Sequence, residues 1–472
     1  MLKKTALFFA IFSFCLVSPS YGADIESRLK ALEETIKTQQ KMIEEQQRTI
    51  EALKEEVGRK AVAAREEGAA PAATAAEAAP SRDYRLDDRT RSLSMQATAP
   101  ISPYQVRQGS PSLMNPAISL ILDTLYYNSD LSQEELDSRT IPGFVGIPDE
   151  SAFTKGFNLR SAELSFFAPV DPYFNLYATI PFEDEGVELE EAYFVTTSLP
   201  YSLQLKGGKF KSGFGRINGQ HPHVWDFVDI PLVYKALLGG EGLIEKGVQL
   251  TWLPDLPFYT LIGGEVLQGD NEVLFGPDAA PGPHTFTAFV KASLDLSDNS
   301  TILFGPSVVT GKTETDSIAE DTEFTGTSTL YGLEFTYKWK PSKKQGLILQ
   351  SEYFYRRQTG DLEDASTSAE EYLKRAQDGL YVQGVYQYDR WRLGGRYDAL
   401  DLLKNDFILS GSQHGFGHKP WRASGMLEYN PTEFSRIRLQ YNHDRSDGTG
   451  ETNNEVMLQF ILGIGAHAAH AF

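Results

Sequence analysis

The chain has 472 residues, with 44 Lys and Arg against 64 Asp and Glu, for a formal net charge of -20. That acidity excludes nucleic acid as a partner. Mean hydropathy is -0.32, yet aromatics reach 12% and there are 40 glycines. This mixture is what a membrane β-barrel produces, because its lumen-facing residues cancel its lipid-facing residues in any average.

The first residues read as an address. "MLKK" is a basic n-region, "TALFFAIFSFCLV" a short apolar run, and "SPSYGA" ends on Gly22 and Ala23, so residues 1–23 are expected to be a signal peptide cleaved after Ala23. The run is too short to cross a membrane as a helix. The single cysteine, Cys15, lies within it without the small residues that precede a lipoprotein cysteine. The mature chain is then expected to carry no disulfide, thiolate metal site or cysteine nucleophile. No later stretch has 18 apolar residues in a row.

Residues 24–60 carry a heptad. Ile25, Leu29, Leu32, Ile36, Gln39, Ile43, Gln46, Ile50, Leu53 and Val57 fall at alternating steps of four and three. This predicts an α-helical coiled coil that needs partner helices. It would span roughly 50 Å, as an oligomer clamp or a reach across the periplasm. Residues 61–117 are rich in alanine, proline and mixed charge, and predict a disordered linker.

From 118 to 472 the period changes to two. In "TSTLYGLEFTYKWK", Tyr331, Leu333, Phe335, Tyr337 and Trp339 share one face, and Gly332, Glu334, Thr336 and Lys338 the other. Turn chemistry recurs in "VDPY", "LPYS", "LPDLPF", "LSDNS", "KPSKK", "YDRW" and "NPTEFS". Between these turns the chain makes longer excursions near 130–155, 214–243, 269–283, 311–324, 358–376 and 402–417, with short ones near 183–186 and 447–451. Short links at one end and mostly long ones at the other predict an all-β transmembrane barrel of about 16 antiparallel strands, with both ends in the periplasm. The alternating last residues, from Val456 to Phe472, resemble the C-terminal sorting signal of outer-membrane barrels. His467 and His470 have opposite parity in a strand and would not share a metal there.

Parity assigns the lumen. Trp391, Leu393, Tyr397 and Ala399 are expected outward, with Arg392, Arg396 and Asp398 inward, followed by Arg422 with Glu428 and then Arg436 and Arg438. Lys206, Lys209, Lys211, Arg216 and Lys291 join them as candidate pore-lining basic residues. Glu183, Asp184, Glu185, Glu188, Glu190 and Glu191 form an acidic cluster. A basic wall favours anions; the plainer reading is a set of wetted residues paired to nearby carboxylates. Residues 213–247 form an unusually apolar excursion, with Val224, Trp225, Phe227, Ile230, Leu232, Val233, Tyr234, Leu237 and Leu238. Such a segment is expected to fold into the barrel and narrow it, or to pack on a second subunit. In it, His221, His223, Trp225 and Asp226 are candidate constriction residues. The His-x-His spacing makes His221 and His223 candidate metal ligands on a strand; alternatively Pro222 makes a turn that the histidines cap. "HGFGH" (414–418) raises the same question more weakly.

The stretch "ELEEAYFVTTSLPYSLQLKGGKFKSGFGRINGQHPHVWDFVDIPLVYKALLGGEG", most specifically "LKGGKFKSGFG", resembles outer-membrane porins of the phosphate-selective porin O/P type, in particular relatives with an N-terminal coiled coil. The resemblance covers roughly 115–472. It implies a sixteen-stranded trimeric barrel with a basic lumen and an inward-folded third loop. The dense arginine series of phosphate channels is not matched. The expected function is therefore a passive outer-membrane porin for small hydrophilic solutes with an anion lean, embedded in outer-membrane lipid, with no enzyme chemistry and no cofactor. Two alternatives stand beside it: a tether to peptidoglycan through the coiled coil, and a metal-ion channel for zinc using His221 and His223.

Overall fold

The computed structural model describes residues 116–465, apart from 142–143, 145–152, 185, 278–281, 316–321, 365–368, 410–411, 416–418 and 449. The signal peptide, the coiled coil, residues 61–115 of the expected linker, His418, His467, His470 and Phe472 therefore lie outside the described residues, and Ala117, expected as linker, opens β1. The strands are β1 (Ala117–Ser129), β2 (Gly156–Pro169), β3 (Phe174–Glu183), β4 (Gly186–Val187), β5 (Glu191–Thr196), β6 (Leu203–Lys211), β7 (Ile244–Trp252), β8 (Tyr259–Leu267) and β9 (Thr285–Ser297). They continue as β10 (Ser300–Thr315), β11 (Thr322–Ser342), β12 (Gln345–Asp364), β13 (Ala369–Tyr388), β14 (Trp391–Leu409), β15 (Ser412–Gly415), β16 (Trp421–Thr432), β17 (Ser435–Arg445) and β18 (Asn453–Gly465).

Consecutive strands pair antiparallel, and β18 returns to β1 from Ser119↔Gly465 to Ser129↔Glu455, so the ladder closes. The short β4 and β15 extend the β3 and β14 edges. Without them the ring has sixteen staves. Closure leaves no unpaired edge, so the backbone is satisfied without water. Among the described residues no helix is long and apolar enough to cross a membrane; a barrel crosses with strands.

Alternation sorts the two faces as the pattern predicts. Tyr331, Leu333 and Phe335 are exposed on the outside, while Glu334 and Thr336 are buried. Trp391, Leu393 and Tyr397 face out, and Arg392, Arg396 and Asp398, at the alternate positions, are buried. Ala399 keeps the parity of Tyr397, because the register runs unbroken from Trp391 to Ala399, and the small side chain is buried there; Asp401, two residues on, has a left-handed φ of 55°. The nine residues from Trp391 to Ala399 pair with β16 and climb about 20 Å at ~3.3 Å per residue and ~45° tilt, the scale of an apolar membrane band.

All seven predicted turn stretches fall on the short links at one end, where β1 begins and β18 ends. At the 170–173 link the Asp171 carboxylate accepts from the backbone of Tyr173 (2.7 Å) and Phe174 (2.9 Å), an Asx turn. Three excursions expected as loops are instead strand. β10 to β15 run through most of 311–324, 358–376 and 402–417 as tall hairpins. Beyond a lipid band a strand needs no continuous apolar face, so Thr-rich, charged sequence remains in the ladder there. Phe324, Leu362 and Leu373 pack together in that region.

Candidate functional site

Residues 212–243, between β6 and β7, form the site. At its neck, the Ser212 N–H donates to the Leu243 carbonyl (2.9 Å). The Asn218 side chain donates to the carbonyls of Ser212 (2.9 Å) and Leu243 (3.0 Å) and accepts from the Leu243 N–H (2.6 Å). Short 3-10 turns follow at Ile217–Gly219 and Pro222–Val224, then helix α1 (Leu232–Leu238), which ends at Gly239 with φ 87°. Every residue of α1 except Lys235 is buried. Phe214, Trp225, Leu232, Val233, Leu237 and Leu238 share one cluster with Val309, Leu330, Phe354, Tyr381 and Leu400 on β10 to β14. A lumen with that apolar patch and a link with that apolar content bury each other. This is why the segment folds onto the inside of the wall.

Glu352 on β12 anchors the near end. It is fully buried and accepts from the Tyr234 hydroxyl (2.8 Å), the Tyr381 hydroxyl (2.7 Å), the Arg216 N–H (2.8 Å) and the Ile217 N–H (3.2 Å). Lys291 donates to the Gly215 carbonyl (2.5 Å) and pairs with Glu334 (3.1 Å). A buried charge is tolerated where every lone pair finds a donor.

On another side the arginines take the segment's carbonyls. Arg438 donates to Trp225 O (2.7 Å), Arg436 to His223 O (3.1 Å), Arg396 to Asp229 O (2.8 Å), Arg422 to Ile230 O (2.7 Å) and Arg160 to Val228 O (2.6 Å). Carboxylates balance them. Arg392 bridges Asp226 and Glu428 (2.9 Å to the latter). Arg396 meets Asp229 (2.8 Å) and Asp398 (2.9 Å), Arg422 meets Asp229 (2.7 Å), and Arg438 meets Glu428 (2.7 Å). Burial raises the Asp229 pKa, but Arg396, Arg422 and the Gln440 amide outweigh it and hold the carboxyl below the ordinary range. The five predicted arginines of β14, β16 and β17 are thus brought together, and they bind the segment through matched charges.

The other predicted basic residues are scattered. Lys206 lies over the rings of Tyr193 (4.9 Å) and Phe210 (5.1 Å). Lys211 pairs with Glu190 (2.7 Å). Lys209 opposes Ala192 while Lys206 opposes Val195; the odd spacing puts Lys209 on the other face, half-buried against Glu188 (2.7 Å). Sequence reasoning missed Arg160. The β1–β2 register slips between Asp123 and Thr124, and such a bulge defeats parity counting.

The histidines sit on the Pro222–Val224 turn rather than on a strand, and no side chain caps that turn. His221 Nδ1 is 3.1 Å from Glu190 Oε2 and 3.6 Å from Glu163 Oε2, and its Nε2 is 2.9 Å from Glu191 Oε2. His223 Nδ1 is 3.0 Å from Glu163 Oε2. The two rings stack at 5.8 Å and 14°. Burial pushes the His221 pKa down, but Glu190, Glu163 and the hydrogen bonds to Glu190 and Glu191 outweigh it and hold it well above the usual range. Glu190 and Glu191, assigned in sequence to a separate acidic cluster, are the histidine's partners; Glu163 was not singled out. Gln383 on β13 reaches Asp226 (3.2 Å), so the segment meets the wall on many sides.

No family model matches the chain. Among solved structures it is similar to an outer membrane channel, DcaP, of Acinetobacter baumannii, with TM-score 0.46 and 13% identity over 74% of this chain and 97% of that one. It is similar to in-vitro folded OmpT, an outer membrane protein of Vibrio cholerae, at 0.45 and 11%, over 76% and 100%. An anion-selective porin from Comamonas acidovorans follows at 0.44 and 9%, over 74% and 99%. At these scores the likenesses add nothing to the fold, which rests on the closed ladder itself. In sequence, the chain is 42% identical over 408 residues to an "Uncharacterized protein" of Aquifex aeolicus (strain VF5), covering 82% of this chain and 86% of that protein. The chain belongs to the family of that Aquifex aeolicus protein.

Proposed function

We propose that the chain is an outer-membrane porin that passes small hydrophilic solutes by diffusion, its lumen narrowed by residues 212–243. The observation that carries this reading is the sixteen-stave ring with an apolar outside and a polar inside, which suits a lipid surround and a watery interior. No chemistry is needed of such a protein, and the buried carboxylates and arginines are spent on positioning the segment. An anion lean would come from Lys338 and Lys340, which line a small cleft with Gln387 and Arg392; the arginines of β14, β16 and β17 do not supply it, because carboxylates match them. The coiled coil would lie in the periplasm and the barrel would assemble as a trimer, as the resemblance implies.

A second reading is a barrel that does not conduct and serves as an anchor between outer membrane and peptidoglycan. It is favoured by the reach of the segment, which contacts β2, β12, β14, β16 and β17. Single-channel recording of purified protein in a planar bilayer, with a salt gradient, separates the two. Step-like conductance is expected. Folded, heat-modifiable protein that gives no steps would refute the porin and leave the anchor.

A further inference from the structure

We propose that Glu163, Glu190 and His221 bind a divalent transition-metal ion that fastens the inserted segment to the barrel wall. This ion is structural and is not cargo, and the inference does not depend on whether the barrel conducts. Glu163 comes from β2, Glu190 from the link before β5, and His221 from the segment, so one ion would join three parts of the chain. Their ligand atoms all lie within 4.8 Å of one another. Bonds of about 2.0–2.2 Å in tetrahedral geometry place donors about 3.3–3.6 Å apart. The His221 Nδ1 distances of 3.1 Å to Glu190 and 3.6 Å to Glu163 need little adjustment. His223 Nδ1, 3.0 Å from the same Glu163 oxygen, stands beside the set.

Two further observations point to a metal. Histidine ligands ordinarily hydrogen-bond a carboxylate through the other ring nitrogen, which fixes the tautomer. Here His221 Nε2 is 2.9 Å from Glu191 Oε2 while Nδ1 faces the proposed ion. Glu190 is oriented in the same way by Lys211 on its second oxygen (2.7 Å). Charge agrees: an imidazole that ligates a metal is neutral, and the carboxylates of Glu163, Glu190 and Glu191 with the Lys211 ammonium then carry two net negative charges. A divalent cation cancels that surplus. The competing arrangement is a protonated His221 shared among the carboxylates, with no metal.

The test uses the full chain in detergent, stripped with chelator and then titrated with zinc chloride or cobalt chloride. The expected result is one tightly held zinc per chain by elemental analysis and calorimetry. Cobalt should give the visible absorption of a low-coordinate nitrogen and oxygen site. His221→Ala should lower zinc affinity by at least tenfold. Glu191→Gln, which weakens the hydrogen bond behind the ligand and removes no proposed ligand atom, should lower it by about 10- to 100-fold. Zinc should also slow protease cleavage within 212–243. Wild-type protein that takes up neither metal overturns the proposal in favour of the protonated histidine, and zinc held equally by His221→Ala overturns it by placing the ion elsewhere. Both readouts are independent of conductance, so a failed porin reading leaves the test intact.

Discussion

Asp229→Ala tests how the segment is held. The carboxylate meets Arg396 (2.8 Å), Arg422 (2.7 Å), the Gln440 amide (2.6 Å) and the Asn442 amide (3.0 Å). Removing one partner from a buried charged pair costs ~3–5 kcal/mol, because the remaining charge stays buried. Here Arg396 retains Asp398 at 2.9 Å and Arg422 retains it at 3.5 Å. That retention brings the expected cost to about 2–4 kcal/mol. At 1.4 kcal/mol per tenfold, the balance between docked and undocked segment shifts by roughly 30- to 700-fold. The strand ladder is untouched, so heat-modifiable mobility should stay as in wild type. Limited proteolysis should cut faster within 212–243, and bilayer recordings should show larger or noisier steps. If Asp229→Ala matches wild type in both cleavage rate and conductance, the claim that matched charges anchor the segment is wrong.

Leu237→Ala removes a fully buried side chain from the cluster against β10 to β14 and should weaken docking by ~2–5 kcal/mol, seen as faster cleavage with unchanged barrel mobility. Gly215 has a φ of 63°, and an added Cβ would fall against the Tyr234 hydroxyl and 2.7 Å from Glu352; Gly215→Ala should cost ~1–3 kcal/mol from backbone strain, more from the clash, and is read by the same cleavage assay. Replacing Arg392, Arg396, Arg436 and Arg438 together by alanine should enlarge the conductance and shift the reversal potential towards cations, since the carboxylates of Asp226, Asp229, Asp398 and Glu428 remain. A smaller, merely less anion-selective current would show that these arginines face the solute rather than the segment.

Much of the barrel was legible along the chain. Alternation in "TSTLYGLEFTYKWK" separates lipid face from lumen face because a strand's side-chain period is two and depends on no distant partner. The turn stretches marked the short links for the same local reason. Alternation also misled where it lacked apolar content: the tall hairpins of β10 to β15 looked like loops. Arg160 shows a second limit, since one bulge reverses a parity that is counted rather than seen; Lys209 is a different miss, because its odd spacing from Lys206 is readable in the sequence.

The apolar content of 213–247 by itself announced that the segment would not wave in water. What it would meet was decided by closure of the ring. Glu163 and His223 are sixty residues apart in sequence, and Asp229 and Arg396 more than a hundred and sixty, yet each pair touches where the segment meets the wall. No local pattern encodes such pairs. Alternation in the sequence determined the inward face of the regular strands; only the tertiary structure decided that the inward arginines meet carboxylates instead of solute, and that two histidines meet three glutamates. The physical reason is that burial makes a charge find its partner wherever the fold places it.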